Sequence, residues 1–363
     1  MSRGMTGRLI AGVFAVALVA LSCSKSGEPQ PTGSGQGEAL TGTLTIFAYE
    51  DGLVPEVLDP FKAANPGLNV KGGAFGSNDE AVTKLRAGFQ ADVINVCTEE
   101  TPRMVDLGLL QTIDTSRVPQ WNNLFPQLTG LNGVTLDGQI YMVPNTGGTS
   151  GIIYNPDEVS TPLTSYRQLF EDPELAGKVT FEDSAATFIP VTAMALGYED
   201  PWNLDDAALQ EIKDYAIAHK SNIRTFFKGD ADFLNLFRSG EIIAGWGWHD
   251  YRVTMQNEGF PVTMDYAEGA LAWVCGMGIS SNAQNLDAAY AALDYYASPD
   301  PQKFYAESYN YVISNQQTLD MLDPKLVEDL KLDHPEQLEQ AVPLQIPPNY
   351  DQWLKIWREI KAA

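Results

Sequence analysis

Basic side chains are scarce in this chain of 363 residues: Lys+Arg number 23 against 47 Asp+Glu, a net charge of −24. That balance argues against a nucleic-acid partner, whose phosphates need cations to neutralise them. It favours cations instead. Histidine is scarcer still, and His219, His249 and His334 are scattered with no metal-ligand spacing. No HExxH, GxSxG or phosphate-cradling GxxxxGK[ST] pattern occurs. Neither a metal site nor a cofactor is expected. Cysteine is limited to Cys23, Cys97 and Cys275, with no CxxC. One pair, His249-Asp250, invites acid–base work, but adjacent residues on a strand point to opposite faces. No second group converges on it, so an enzyme is the least favoured reading.

A long apolar run is also missing. The first stretches from Leu9 to Leu21 after Arg3 and Arg8, short of the ~20 residues of a membrane span. A basic start, a short apolar core and Ser22-Cys23 describe an export signal over 1–22 rather than a membrane anchor. The end of that run, ALSC (20–23), resembles the lipobox of bacterial lipoproteins, with Ala20 where Leu is commoner. The resemblance implies that Cys23 becomes the lipidated first residue and holds the chain on a membrane. Residues 23–42 are poor in large apolar side chains and are expected to form a flexible tether. Loss of 1–22 removes two arginines and no acid, leaving a charge of about −26. The body, roughly 320 residues, exceeds a single core and predicts two lobes. In an oxidising compartment Cys97 and Cys275 either bond or stay as two buried thiols.

Strands and helices alternate along the body. Apolar runs predict strands at 44–49, 68–75 and 91–97, with helices opening at Pro55 and near Ser77 and a third over 101–108. This is a βαβα order with a parallel sheet. The Pro/Gly/Thr-rich stretch 138–159 reads as two strand-like runs about a bend, where the chain crosses between lobes. Strands follow at 178–183, 242–248 and 270–280, the last returning to the first lobe. Helices are expected at 208–219 and 233–241 and onward to Lys361, with a Pro-rich bend at 343–348. Acidic, hydroxyl or thiol side chains recur where strands end: Glu50-Asp51, Cys97-Thr98-Glu99, Glu182-Asp183-Ser184 and His249-Asp250. In open α/β sheets ligands bind beyond those ends. Tryptophans there can cover an alkyl chain and face a cationic nitrogen, while carboxylates hold ammonium groups. By position, Trp246 is assigned to the core, and Trp248 and Trp273 to a cleft.

Several segments match one family in order: IFAYEDGLVPEVLDPFK (46–62), FGSNDEAVTKL (75–85), YNPDEV (154–159), TSYRQLFEDPELAGKVTFEDS (164–184), FRSGEIIAGWGWHD (237–250), EGALAWVCG (268–276) and NYVISN (310–315). From about Thr43 to Lys361 the chain resembles the spermidine/putrescine-binding proteins of bacterial ABC importers. The resemblance implies an α/β, two-lobed type II periplasmic-binding-protein fold with a ligand cleft between lobes. Lobe 1 is expected over 43–150 plus 274–320, and lobe 2 over 151–273 plus 321–363. The implied protein is a monomer in the periplasm or cell envelope. It would bind a small cationic organic ligand and pass it to an ABC permease in the inner membrane.

Carried over position by position, the resemblance implies ligand contacts from Tyr49, Glu50, Asp51, Cys97, Glu99 and Asp183. It implies further contacts from Trp248, Asp250, Trp273, Cys275, Tyr311 and Gln345. Two departures stand out. Cys275 takes the place of an Asp that pairs an amine, and Ala186 or Thr187 replaces a second acid. Each lost charge-assisted bond is worth roughly 1.5–3 kcal/mol, so a zwitterionic amine or an amino-acid derivative is the alternative ligand. Both cysteines fall on ligand-contact positions of lobe 1, which suggests a Cys97–Cys275 disulfide at the cleft floor.

Overall fold

The frame is built from runs that are apolar on both faces. Val93–Cys97 is buried at every position, and Gly42–Ala48 pairs in parallel with it and with Leu68–Ala74. Ile46 and Val93 join one core while Phe47 and Ile94 join another, the alternation of a sheet covered on both sides. Helix Pro55–Ala64 buries Val57, Leu58 and Phe61 against one face. Helix Asn78–Arg86 sends Val82 and Leu85 to the other. Its N-cap is Ser77, whose hydroxyl accepts the Glu80 N–H at 3.2 Å, satisfying one of the free donors of the first turn.

These are features of a computed structural model that describes residues 39–266, 269–333 and 341–363. The export segment, Cys23 and His334 lie outside the described residues. Among the described residues no helix is long and apolar enough to cross a membrane. Residues Ala39–Ala363 form one compact unit.

A second parallel block consists of Ala244–Trp248, Val179–Glu182 and Ile223–Phe227. Its core gathers Phe170, Phe181, Phe188 and Trp246 with Trp353 and Trp357 of the C-terminal helix Tyr350–Ala362. The Ile223–Phe227 strand has no counterpart among the sequence expectations. Two long antiparallel strands join the blocks. In the twelve-stranded sheet the order runs Leu68–Ala74, Gly42–Ala48, Val93–Cys97, Leu271–Ser280, Val143–Tyr154, Ala244–Trp248, Val179–Glu182, Ile223–Phe227.

Here the structure differs from the sequence reading of 138–159. Instead of two runs about a bend, Val143–Tyr154 is one continuous strand of 12 residues. Its glycines mark close approach rather than a turn. A Cβ on Gly148 would lie 2.4 Å from the Trp273 Nε1, and one on Gly151 2.5 Å from the Asp265 carbonyl oxygen. Pro144 sits at an irregularity: Cys275 pairs with Thr146 but Gly276 with Pro144. Asn145 is thus the extra residue of a bulge, a place where the sheet tolerates proline and re-aims a side chain.

Cys97 and Cys275 stand directly opposite each other in adjacent antiparallel strands. They form a disulfide, with Cα atoms 3.9 Å apart and a sequence separation of 178. Closing a loop of that length restricts the unfolded chain by up to about 5 kcal/mol. Thiol titration of unreduced, denatured protein should therefore find neither cysteine free. Replacing both by Ser should lower urea resistance by several kcal/mol, and an unchanged midpoint would contradict the account.

Candidate functional site

One cavity of about 340 Å³ opens where the two blocks meet. Its walls come from strand ends, from the short connections beyond them and from the two long strands that join the blocks. Tyr49 and Asp51 follow the Gly42–Ala48 strand directly, Asp51 within the tight turn Glu50–Leu53. Cys97 and Glu99 end and follow Val93–Cys97. Trp248 closes its strand, and Asp250 lies in the first turn of helix His249–Asn257. Trp273 and Cys275 alternate along Leu271–Ser280. Tyr311 is delivered by Asn310, which adopts φ 57° at the end of helix Pro299–Tyr309, a left-handed cap that Asn accepts at low cost.

These nine residues of the sequence-derived set line the cavity together. Three do not. Glu50 is exposed on the outer side of its turn. Asp183 instead accepts hydrogen bonds from Trp357 Nε1, at 3.2 Å, and Lys361 Nζ. Its charge therefore fastens the C-terminal helix. Gln345 is exposed and borders a neighbouring cavity of about 550 Å³, which shares only Glu99 and Leu344 with the first.

Sequence reasoning missed Asp230, Asn95, Asn145 and Tyr305 among the walls. A signal for Asp230 existed. It follows the unrecognised strand Ile223–Phe227 and opens helix Asp230–Arg238, so the rule about strand ends reaches it once that strand is seen. Asn145 is aimed by the bulge, which composition does not reveal.

The walls divide by chemistry. Trp273 meets Tyr311 edge-to-face at 5.0 Å, and Trp248 meets the buried Trp246 edge-to-face at 4.8 Å. Edge-to-face contact fixes each ring plane. Among the described residues four carboxylates, Asp51, Glu99, Asp230 and Asp250, line the same cavity, and no Lys, Arg or His borders it. Asp51 accepts the Gly52 N–H at 2.9 Å. Tyr251 donates its hydroxyl to Asp230 at 2.7 Å. Asn78 accepts from the Tyr49 hydroxyl at 3.0 Å and donates to Glu99 Oε1 at 3.3 Å. The second oxygen, Glu99 Oε2, is buried with no hydrogen-bond partner among the described residues, as is Asn145 Oδ1.

Burial raises three of these acids, Asp250, Glu99 and Asp51. The Asp250 carboxyl is pushed up to about 8, by burial first and then by the Asp230 charge. Burial pushes Glu99 up to about 7 against the hydrogen bonds from its own backbone and Asn78. Asp51 is also raised by burial, despite the Gly52 N–H. Beside Asp230, Glu182 rises to about 7 through burial, and its Oε2 is likewise unpartnered. His249 behaves oppositely: burial, then Arg252, holds it down to about 3. Both of its nitrogens are occupied, Nδ1 by the Tyr266 hydroxyl and Nε2 by Arg252. The acid–base pair considered from sequence thus has its histidine tied up. His249 and Asp250 also start a helix, contrary to the strand geometry assumed there. Among the described residues no cluster of His, Cys, Asp and Glu could hold a metal ion.

The sign of the pH effect follows. In the folded, ligand-free protein Glu99 and Asp250 keep protons up to pH about 7–8, whereas unfolded carboxyls lose them near pH about 4. The stability this gives is full below pH about 4 and is lost as pH rises from there through about 8. Asp250→Asn should melt with the wild type near pH about 3.5 and increasingly above it as pH rises to about 8.5. A melting difference that does not change with pH would contradict the assignment.

Comparison with known proteins agrees with this geometry. The model of the bacterial extracellular solute-binding protein family matches residues 56–332. The spermidine/putrescine-binding periplasmic protein of Escherichia coli K12 is 26% identical over 298 residues, 80% of this chain and 82% of that protein. The putrescine/agmatine-binding protein of Pseudomonas aeruginosa is 26% identical over 311 residues, 80% and 83% of the two chains. Among solved structures, the spermidine/putrescine ABC transporter substrate-binding protein of Streptococcus pneumoniae superposes with a TM-score of 0.77 at 20% identity. That alignment covers 89% of this chain and 99% of the other. A two-lobed α/β frame with a cavity between its parallel blocks, together with a family match across most of the body, makes this chain a member of the bacterial extracellular solute-binding proteins.

Proposed function

We propose that this protein binds a linear diamine or polyamine in the acid-lined cavity and presents it, on the extracytoplasmic side, to an ABC permease. The carrying observation is the wall chemistry among the described residues: four carboxylates, aromatic side chains from Trp248, Trp273 and Tyr311, and no basic side chain. An alkyl chain between tryptophans with an ammonium at each end satisfies all of these at once. The sequence relatives that bind putrescine, spermidine or agmatine support the same class. A zwitterionic amine fits less well, because its carboxylate would enter a field of four acids with no cation to meet it among the described residues.

The disulfide at Cys275 removes the acid expected there, and Asp230 with Asp250 compensates from the other block. We propose that the lobes meet within the two long strands near residues 150 and 273. Residues 322–332 travel with the first lobe, since Leu322, Leu330 and Leu332 pack with Phe47 and Ile94. The C-terminal helix travels with the second. Lipid attachment through Cys23 would keep the protein at a membrane.

Calorimetric titration tests the ligand class. Putrescine or spermidine should bind with Kd below about 10 μM, at least −7 kcal/mol by the affinity relation, and γ-aminobutyrate should not. Asp230→Asn and Asp250→Asn should each weaken the diamine at least tenfold. Binding of the zwitterion without the diamines would reverse the assignment.

A further inference from the structure

We infer that Arg252, which does not border the cavity, is a positioning residue for the ligand site. It ties the helix that carries the Trp248–Asp250 wall to the opposite lobe. The inference rests on the binding role proposed above.

Helix His249–Asn257 starts immediately after Trp248 and holds Asp250 in its first turn. Tyr251 and Met255, four residues apart, lie on one face and enter the core that contains Trp246. Val253, roughly 200° around the helix from Tyr251 at 3.6 residues per turn, enters the other core, with Leu330 and Leu332. One short helix is therefore wedged between the two cores, and its leading end is a cavity wall.

Arg252 sits on that wedge. Its Nη2 donates to the Asp329 carbonyl oxygen at 2.7 Å, and Nη1 donates to Gln256 Oε1 at 2.7 Å. Asp329 is the last residue of helix Pro324–Asp329. Its carbonyl is one of the acceptors that a helix end leaves free, and a cation there also meets the negative end of the helix dipole. The bond is a direct polar tie from the bridging helix to a segment packed on the first lobe. The same Nη2 lies 3.0 Å from His249 Nε2. A neutral imidazole that accepts at Nε2 carries its proton on Nδ1, which points that N–H at the Tyr266 hydroxyl. Arg252 thereby fixes the residue between Trp248 and Asp250 as well as the lobe beyond. Without it, the helix keeps its apolar faces but loses the polar contact that sets its rotation and tilt, and the wall swings away from Tyr311.

The test is Arg252→Met, which keeps the length and removes every donor, with Arg252→Lys as the conservative partner. Stopped-flow tryptophan fluorescence with putrescine should show dissociation at least tenfold faster for Arg252→Met. Association should stay within about threefold, and Arg252→Lys should fall between. Hydrogen exchange of the ligand-free protein should show lost protection across 249–257, with the Val93–Cys97 strand unchanged. If Arg252→Met proves too unstable to purify, Arg252→Gln is measured in the same way. Unchanged dissociation and exchange in a folded variant would overturn the inference. So would slower association alone, which would assign Arg252 a long-range charge effect. If wild-type protein binds no diamine, the ligand reading fails, and the ligand-free exchange at 249–257 still decides the role of Arg252.

Discussion

Taking a carboxylate out of water costs several kcal/mol unless a cation or a set of hydrogen bonds replaces the lost solvent. The cavity described here does this three times, with Asp51, Glu99 and Asp250, beside an exposed Asp230, and no cation borders it among the described residues. The protein meets that cost in two ways. Some oxygens receive neutral donors, such as the Gly52 N–H on Asp51 and the Tyr251 hydroxyl on Asp230. The remainder is handled by protonation, which is why Glu99 and Asp250 titrate near neutrality. A bound ammonium would replace both devices at once, which is the physical basis of the cationic ligand proposed above.

The fold positions those acids through strand ends. Two parallel blocks direct their carboxyl ends toward a common space, and two long antiparallel strands hold the blocks in one sheet. Irregular features cluster where those long strands run past the cavity. The bulge turns Asn145 inward, glycine at 148 lets the Trp273 ring lie flat against the backbone, and the Cys97–Cys275 bridge closes the floor. Each breaks a local rule of regular sheet in order to shape a wall, a pattern expected where function overrides regularity.

Much of this was legible in the sequence, for identifiable reasons. Val93–Cys97 and Ala244–Trp248 announce themselves as short apolar runs. Glu99 and Trp248 lie at their ends, Tyr49 follows the Gly42–Ala48 strand and Trp273 lies near the start of Leu271–Ser280, so the strand-end rule together with a family resemblance located most of the walls. The limits are equally physical. Ile223–Phe227 is too mixed in polarity to read as a strand, and Asp230 was lost with it. Gly147-Gly148 looks like a bend because a close-packed tryptophan and a turn make the same demand on composition. Asp183 resembles a ligand acid in sequence, but whether a carboxylate faces a cavity or Lys361 is decided by a helix nearly 180 residues away. The role of Arg252 rests on a backbone carbonyl, an acceptor that no side-chain pattern records.

The most direct test of the electrostatic account is proton release. Titrating the protein with putrescine at pH 7 in buffers of different ionisation enthalpy gives the number of protons exchanged on binding. A dication that ionises Glu99 and Asp250 should expel protons, so the apparent enthalpy should shift linearly with buffer enthalpy in the direction of net release. Binding with no proton exchange, or with uptake, would contradict the claim that these buried acids wait in protonated form for a cationic ligand.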